Sequence, residues 1–396
     1  MPYGFESHPR HHMLYSLWYR TIAKLFPTPP LVTVGISREA LLHNFDTFAK
    51  AYPNLQLAPV LKSNAYGHDL GLIARVLDYK SLAFFMVDSL YEAKKLRSAG
   101  IRSRVLVMGY TRPESISRAR LPRLDFSITD IQQLRDVLPL LRVPTRLHLK
   151  LDTGMHRQGI MERDLPEAIG LLSAHPFAQI VGVCSHFADA DTKDSVHAQT
   201  QVTNWNRMLK TMKEAFPSVE YTHISATKGA RFATEAQTTV LRIGIGLYGF
   251  DTAPENETTL LPVLELRSLV AGLRTVPKGE SVGYNATFTT EQETCIATIP
   301  AGYYEGVDRR LSNKGRVLVQ GMECPIIGRV SMNMISVDVT GVAGVAIGDV
   351  VTLISRSISS SCSIPSIASA VSTSEYLESI YVLLAHIPQH LKRVLE

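Results

Sequence analysis

The run Leu82-Ala83-Phe84-Phe85-Met86-Val87 is apolar without interruption. It lacks the polar–apolar alternation of a strand that has one face in water, and a helix-like segment, residues 89–99, follows it directly. A strand that is apolar on both faces and leads into a helix is typical of a parallel sheet covered by helices. This unit therefore predicts an α/β fold.

The same alternation extends along the chain in both directions. Strand-like runs lie near residues 55–62, 82–88, 104–109, 124–128, 146–152, 179–186, 221–226 and 240–248. Helix-like segments lie between them, at residues 69–79, 89–99, 113–119, 130–141, 163–174, 195–215 and 228–236. Eight such units within about two hundred residues predict a closed (β/α)8 TIM-like barrel. An open doubly wound sheet is the alternative, but no G-x-G-x-x-G fingerprint opens any of these helices.

The segments on either side of the barrel have different patterns. Residues 1–30 form an N-terminal extension, in which 13–26 is interpreted as a short amphipathic helix packed on the body. A targeting or membrane-surface role is the alternative for this segment. After residue 250, strand-like alternating runs are joined by glycine-containing turns, at residues 262–276, 281–288, 294–300, 316–320, 324–330, 334–339 and 348–355. They predict a mostly antiparallel β domain, with helices at 363–371 and 375–386. The predicted domains are 1–30, 31–250 and 251–396, and the strand at 31–36 can pack with the last of them.

Composition excludes several classes of protein. The 396 residues are 45% hydrophobic and 19% charged, which excludes a disordered chain. The net charge of +5 is spread along the sequence, so nucleic-acid binding is not indicated. No apolar run is long enough for a membrane span. The four cysteines are far apart and lack C-x-x-C spacing, which argues against a disulfide framework and a zinc site and predicts a cytoplasmic protein.

Polar residues follow several predicted barrel strands, at the edge where such barrels carry their catalytic groups. Lys62 ends the first strand among apolar neighbours, and a lysine of this kind can form a Schiff base with an aldehyde cofactor. Other strand ends carry Arg157, His186, Thr227, Arg242, Gly244 and Gly246. The two glycines let a phosphate approach the backbone, and Thr227 adds a hydroxyl donor. A lysine with a phosphate cradle, and no metal-binding constellation, suggests pyridoxal 5'-phosphate.

At these residues the chain resembles the alanine racemase family, pyridoxal-phosphate enzymes with a barrel and a β domain. The resemblance runs from about residue 32 to residue 395. In the barrel it is carried by VLKSNAYGHD from Val60, KLDTGMHRQG from Lys150, SHFADAD from Ser185 and LRIGIGLYG from Leu241. In the second domain it is carried by VGYNATF from Val282, IPAGYYEGVDRR from Ile299 and IGRVSMNMISVDV from Ile327.

The resemblance implies a role for each matching residue. Lys62 matches the lysine that holds the cofactor, and Tyr284 matches a second catalytic base. The phosphate-contacting positions are Tyr66, Thr227, Gly244, Ile245 and Tyr376. Arg242 matches the arginine at the pyridine nitrogen, and His186 matches the histidine behind the second base. Arg157 lies near the cofactor's phenolic oxygen and the substrate carboxylate in this comparison. Met332, together with Tyr284, matches a substrate-contacting position. In the family Tyr284 and Met332 come from the partner subunit, which implies a homodimer.

The implied reaction is the interconversion of L- and D-alanine, which supplies D-alanine for peptidoglycan. Racemisation removes a proton from one face of the α-carbon and returns one to the other face, so two bases are the simpler arrangement. Lys62 and Tyr284 are those bases in our hypothesis. Free lysine and tyrosine have pKa values of about 10, so the surroundings of each must favour the deprotonated form before it can act as a base at neutral pH. For Tyr284 a cation or hydrogen-bond donor is required, and His186 backed by Arg242 would supply it.

Several positions depart from the family pattern and leave the substrate open. Asn333 stands where the family usually has aspartate, and His156 stands where glycine is common. Ala226 replaces asparagine, and Thr227 replaces serine. Tyr304 replaces a smaller residue, and Glu305 replaces aspartate. Racemases of serine, lysine or broad specificity are therefore alternatives. A decarboxylase of basic amino acids fits less well, because Tyr284 and the Met332-Asn333 pair match the racemase pattern and no cysteine occupies the expected acid position. A cofactor carrier fits less well, because carriers are barrel-only and shorter than this chain. Lys150 matches a lysine that is carbamylated in some members.

Overall fold

The computed structural model describes residues 29–190, 192, 194–250, 260–371, 380, 382–384 and 386–396. The interpretations of residues 1–28 and of Tyr376, and most of the predicted helix at 375–386, lie outside the described residues. The described part begins with strand β1, Thr33–Ile36, and helix α1, Arg38–Ala51. Ser37 caps α1, because its hydroxyl accepts a hydrogen bond from the Ala40 amide at 3.1 Å.

Eight parallel strands and the helices between them form the predicted barrel. The strands are β2 Gln56–Pro59, β3 Phe85–Val87, β4 Val105–Val107, β5 Leu124–Ile128, β6 Thr145–Lys150, β7 Ala178–Cys184, β8 Tyr221–His223 and β9 Val240–Ile243. The helices are α2 Leu70–Leu77, α3 Leu90–Ser98, α4 Pro113–Arg118, α5 Ile131–Val137, α6 Leu165–Ser173 and α7 Val196–Ala215. Among the described helices, none combines the length and the apolar character that crossing a bilayer requires.

The barrel closes through the pairing of its first and last strands. Strands β3 to β8 form one parallel sheet, and β2 pairs with β9 in parallel register from Gln56 opposite Val240 to Pro59 opposite Ile243. Single bridges join the two sheets, one from Val60 to Met86 and one from Ala226 to Arg242. The sequence prediction of a closed barrel is confirmed.

The segments after the last two barrel strands differ from the prediction. The helix expected at 228–236 is a short 3-10 turn, Lys228–Phe232. The strand expected at 240–248 ends at Ile243, and a second 3-10 turn, Ile245–Tyr248, follows it. The backbone turns at Gly244 because its φ and ψ of −96° and −107° lie outside the strand and helix regions. Both turns lie at the edge of the barrel where the predicted site residues gather.

A polar network lies inside the barrel, at the edge opposite those residues. Asp125 is fully buried and accepts hydrogen bonds from Arg104 at 2.7 Å and Arg146 at 3.1 Å. His148 Nε2 lies 3.4 Å from the Asp125 carboxylate, and its Nδ1 lies 2.9 Å from His223 Nε2. Burial alone would raise the pKa of Asp125, but His148 and the two arginines lower it. The carboxylate therefore stays ionised, and it holds both histidines in place.

The second domain is built on one sheet of nine strands. Besides β1, its strands are β10 Leu264–Leu269, β11 Gly272–Val276, β14 Thr294–Ile299, β15 Arg316–Val319, β16 Met322–Ile327, β17 Ile335–Asp338, β18 Val350–Ile354 and β19 Lys392–Leu395. Their order is β11-β14-β17-β16-β15-β18-β10-β1-β19, and among these neighbours only β1 and β19 pair in parallel. The domain also contains a separate hairpin, β12 Ser281–Val282 with β13 Phe288–Thr289, and helix α8, Ile364–Val371. Strand β1 thus joins the two ends of the described chain in one sheet.

Two runs predicted as single strands in this domain are interrupted. Residues 262–276 divide into β10 and β11, because Val270 and Ala271 bond to different neighbours, Asp349 and Thr298. The run 281–288 is interrupted by a turn at Tyr284–Ala286, where Asn285 and Ala286 take positive φ angles of 61° and 49°. Tyr284 therefore stands on a turn and not within a strand.

The barrel network provides a stability test at Gly182, which lies opposite His148 in the β6–β7 pair. A Cβ at this position would lie 2.2 Å from His148 Nδ1. We expect Gly182→Ala to lower the free energy of unfolding by about 1–3 kcal/mol through overpacking. The measurement is chemical denaturation followed by circular dichroism.

Gly170→Ala is the matched control, since a Cβ there meets nothing within 4 Å and Gly170 lies in helix α6. This change should raise the free energy of unfolding by up to about 1 kcal/mol. Equal unfolding midpoints for the two variants would contradict the packing argument.

Candidate active site

Lys62 follows strand β2 and begins an unusual left-handed turn. Ser63, Asn64, Ala65 and Tyr66 have φ angles of 56°, 55°, 55° and 52°. For L-residues this conformation costs roughly 1–2 kcal/mol per residue, so surrounding contacts must stabilise it. The turn places both the half-buried Lys62 and the Tyr66 side chain at the carboxyl edge of the barrel strands.

The electrostatic surroundings of Lys62 favour a neutral amine. Burial is the main reason that its pKa is lowered, and the nearby Arg157 and Arg242 lower it further. Asp88 and Glu92 act in the opposite direction and offset part of this effect. A neutral lysine amine is the form that attacks an aldehyde and the form that accepts a proton.

The predicted phosphate-binding residues meet beside this lysine. The Thr227 hydroxyl lies 3.3 Å from the amide nitrogen of Gly244 and 3.4 Å from that of Gly246. A Cβ on Gly244 would lie 3.1 Å from the Tyr66 hydroxyl, so this hydroxyl lies close against the glycine backbone. Ile245 begins the 3-10 turn that follows. Hydroxyl and amide donors converging on one point form a cradle that can bind a phosphate.

Tyr66 is supported from behind by a second tyrosine. The rings of Tyr66 and Tyr248 have centroids 5.1 Å apart, and the buried Tyr248 hydroxyl donates to the Val60 carbonyl at 2.9 Å. Tyr248 was not predicted as a site residue. Its position in the LRIGIGLYG motif was the available signal, but the motif does not reveal a packing role.

Arg242 and His186 form a buried pair in this region. Arg242 Nη2 lies 3.1 Å from His186 Nδ1, and the guanidinium also donates to the backbone carbonyls of Ile224 and Ser225. Burial lowers the pKa of Arg242 to about 10, so it remains charged at neutral pH. The pKa of His186 is well below its ordinary value because of burial and the charge of Arg242.

This contact determines the tautomer of His186. Arginine has donors and no acceptor, so His186 Nδ1 must accept the hydrogen bond from Arg242. The proton of the neutral ring is then on Nε2, which can donate to another group.

The remaining predicted residues lie outside the buried part of the site. Arg157 is exposed, in the loop after β6, and acts electrostatically on Lys62 and His186. Tyr284 and Met332 lie in the second domain, where they are 72% and 55% exposed. The described chain therefore brings Lys62, Arg157 and the buried cradle together, while Tyr284 and Met332 are on an open surface.

Two acidic residues and a second lysine join this region. Glu92 accepts hydrogen bonds from the amides of Asn64 at 3.1 Å and Asp88 at 2.9 Å, so it stabilises the left-handed turn. Sequence reasoning missed both carboxylates, although Asp88 directly follows strand β3. Lys150 donates to Gln158 at 2.9 Å, and its pKa is lowered mainly by burial, with Arg242 and Arg157 lowering it further. Among the described residues, no group of three or more metal-type ligands occurs.

Comparison with known proteins agrees with this geometry. Residues 36–252 match the model of the alanine racemase N-terminal domain, and residues 263–394 match that of the alanine racemase C-terminal domain. Alanine racemase of Syntrophobacter fumaroxidans is 36% identical over 327 residues, which cover 81% of this chain and 87% of the relative.

Solved structures give the same family. Alanine racemase from Streptomyces lavendulae, a D-cycloserine producer, is 29% identical with a TM-score of 0.83, over 93% of this chain and 98% of that chain. Alanine racemase from Bacillus anthracis with bound L-Ala-P is 29% identical with a TM-score of 0.84, over 93% and 96% of the two chains.

The contact between Arg242 and His186 predicts a pH effect that can be measured directly. In the unchanged protein His186 should stay neutral when the pH falls below about 6.5, where a free histidine takes up its proton. Arg242→Gln removes the positive charge, so the pKa of His186 should rise toward the ordinary value. Histidine NMR titration measures both.

His148 is the internal control, because burial is the main cause of its lowered pKa and its ionic neighbours are Asp125, Arg146 and Arg104. Its titration should be the same in both proteins. If His186 also titrates identically in both, the charge of Arg242 has no part in keeping His186 neutral.

Proposed function

This chain belongs to the alanine racemase family, and we propose that it interconverts L- and D-alanine with Lys62 and Tyr284 as bases on opposite faces of the substrate. The observation that supports this proposal most strongly is the environment of Lys62. Its pKa is lowered, and it begins the left-handed turn that leads to Tyr66, beside the groups proposed to bind the phosphate. The family depends on pyridoxal 5'-phosphate.

The residues at the barrel edge fit this cofactor. Thr227, Gly244, Ile245 and Tyr66 would hold its phosphate, because their hydroxyl and amide groups converge there. A side chain at Gly246 would lie 2.7 Å from the Thr227 methyl, so the cradle requires a glycine at that position. Lys62 would attach the cofactor covalently, and Tyr376 is the further phosphate contact that the family resemblance proposes. When bound, the cofactor delocalises the electron pair left at the α-carbon after the proton departs.

Arg242 would face the pyridine nitrogen of the cofactor. Its pKa of about 10 keeps the guanidinium charged at neutral pH. A charged guanidinium donates hydrogen bonds but cannot accept one. A ring nitrogen next to it is therefore kept unprotonated. We infer that Arg242 limits how strongly the cofactor withdraws electrons, which disfavours side reactions such as transamination.

Lys62 is the base on one face of the substrate. Burial and the two arginines lower the pKa of its amine, which favours the neutral form that can accept the α-proton at Nζ. Arg157, near Lys62, is positioned to bind the substrate carboxylate through its planar guanidinium. Such a contact orients the α-carbon toward the base.

Tyr284 is the base on the other face, and it needs a hydrogen-bond donor to lose its proton. The tautomer argument leaves the proton of His186 on Nε2, where it can donate to a phenolate. The Arg242–His186 pair would therefore stabilise Tyr284 in its charged form without giving it a full proton.

The exposure of Tyr284 and Met332 supports a homodimer with shared active sites. Tyr303 and Tyr304, which are 43% and 56% exposed, lie beside Met332, because the Tyr304 amide donates to the Met332 carbonyl at 2.9 Å. Exposed apolar side chains that cluster in this way are typical of an interaction site. A second copy that packed against this surface would bring its own Lys62 close to Tyr284 and Met332 of the first copy. Four unpaired cysteines are compatible with the cytoplasmic location that we propose.

The first test is chiral analysis of L-alanine, L-serine and L-lysine, each incubated with cofactor-loaded protein. We expect D-alanine to form fastest. Faster conversion of serine or lysine would retain the mechanism and overturn the substrate. Release of carbon dioxide would indicate a decarboxylase, and a monomer inert to every amino acid would indicate a carrier.

The second test uses Tyr284→Phe, which removes one base and keeps the ring. Racemisation should fall by about 10²- to 10⁴-fold in both directions, the usual contribution of a general base. Exchange of the α-hydrogen with deuterium should continue for one enantiomer, because Lys62 still serves its own face. Tyr79→Phe, at an exposed position in the barrel domain, is the control. Near-normal racemisation by Tyr284→Phe would overturn the two-base mechanism.

The third test addresses the shared sites. Lys62→Met and Tyr284→Phe should each be nearly inactive as homodimers. If the two are unfolded and refolded together, half of the dimers carry one complete site, so about a quarter of the wild-type activity should return. Absence of recovery, with mixed dimers detected by mass spectrometry, would place both residues in the same subunit.

A further inference from the structure

The left-handed turn after Lys62 is held from two sides. On the barrel side, Glu92 accepts the amide of Asn64, and the Asn64 side chain accepts the amide of Leu70 at 3.1 Å. On the other side the turn ends at Gly67, whose carbonyl points to the C-terminal segment of the chain. This second contact is formed by Arg393.

Arg393 directs its guanidinium at backbone carbonyls. Its Nε and Nη2 both donate to the Gly67 carbonyl, at 3.0 and 2.8 Å. Its other contacts are with the carbonyls of Pro388 at 3.0 Å, Gln389 at 3.2 Å, Leu391 at 2.8 Å and Ile387 at 3.4 Å. One half-buried side chain thus joins the end of the Lys62 turn to residues 387–391.

The packing at this contact leaves the turn no room to move. Gly67 has a φ of +84°, and a Cβ on it would lie 2.2 Å from the Leu384 carbonyl. His68, the next residue, is fully buried, and its Nδ1 lies 2.9 Å from the Tyr66 carbonyl and 3.0 Å from the Ala65 carbonyl. A shift of Gly67 would therefore move the backbone that carries Tyr66.

We propose that Arg393 is a positioning residue for Lys62 and Tyr66, acting through the Gly67 carbonyl, which it holds against residues 387–391. The proposal rests on the proposed function, since it concerns the same cofactor lysine. Arg393 lies five residues beyond Pro388 in strand β19 and contacts neither Lys62 nor the phosphate cradle directly. Its role is to stabilise the strained backbone between them.

Strand β19 has other anchors, so the loss of Arg393 should leave it in place. It pairs with β1 from Thr33 opposite Lys392 to Ile36 opposite Leu395. Glu396, at its end, forms ion pairs with Arg267 at 2.7 Å and Arg356 at 2.9 Å. A variant at Arg393 is therefore expected to fold, with its defect at the Lys62 turn.

The experiment compares Arg393→Ala and Arg393→Lys with the matched control Arg356→Ala, all as holoenzymes. Arg356→Ala removes an arginine from the same end of the sheet without touching the turn, and the β1 pairing and the Arg267–Glu396 ion pair still anchor β19. The measurements are kcat and KM for alanine, the rate of cofactor loss on dialysis, the visible absorption of the bound cofactor, and hydrogen exchange of a peptide that covers residues 62–70.

We expect Arg393→Ala to lower kcat by about ten- to a hundredfold, the effect of a reacting group misplaced by about 1 Å, with a smaller change in KM. Cofactor loss and hydrogen exchange at 62–70 should be faster, and the absorption band should shift. Arg393→Lys should be intermediate, because a single ammonium can reach Gly67 but cannot bridge all five carbonyls. Added methylguanidinium should restore the alanine variant in part.

The proposal is overturned if Arg393→Ala matches Arg356→Ala in all these measurements, or if only its thermal unfolding midpoint falls. If Arg393→Ala does not fold, Arg393→Lys decides by the same criteria. If the wild-type protein does not racemise alanine, the proposed function fails, while cofactor loss, absorption and hydrogen exchange still decide the role of Arg393.

Discussion

The parallel pairing of β2 with β9 is the interaction on which the site depends. It places Pro59 opposite Ile243, and the amide of Val60 donates to the Ile243 carbonyl at 2.8 Å. Parallel strands end at the same edge of a sheet, so the residues that follow each strand become neighbours. The lysine turn therefore meets the glycine turn beyond Ile243, and the hydroxyl of Tyr248 reaches Val60 across 188 positions of sequence. Without this closure β2 and β9 would be the outermost strands on opposite sides of an open sheet, and the amine and the phosphate cradle would be far apart.

The charge distribution around that edge favours an anionic ligand. Lys62, Lys150, Arg157 and Arg242 lie close enough that each arginine lowers the pKa of both lysines. Positive charges concentrated in a partly buried site repel one another, and a bound phosphate or carboxylate relieves that repulsion. The same repulsion adds to the effect of burial in lowering the pKa of Lys62. Arg242 retains its charge because guanidinium loses a proton only at high pH, even when buried.

In the proposed mechanism the two domains supply different parts of the chemistry. The barrel provides the buried amine, the cradle and the Arg242–His186 pair, whose positions follow from strand ends. The second domain presents Tyr284 on the turn of the separate two-stranded hairpin β12–β13, with Asn285 at a positive φ. Strand β1 comes before the barrel in sequence but lies in the second domain's sheet, between β10 and β19. The arrangement couples the start and the end of the described chain, so the segment that contacts the lysine turn at Gly67 is itself fixed to the sheet.

The sequence by itself determined the barrel, the family and the residue types of the site. Buried strands and the order of strand and helix are local signals, so they could be predicted and were confirmed. Lys62 could be singled out because it ends a strand, and its role with the other site residues stays a prediction. The left-handed turn could not be predicted, because Ser63 to Tyr66 include no glycine and their conformation depends on Glu92 and Arg393, which are distant in sequence. The tautomer of His186 and the lowered pKa of Lys62 were decided only by the tertiary structure. They depend on burial and on which cations lie nearby, and the order of residues along the chain does not determine either.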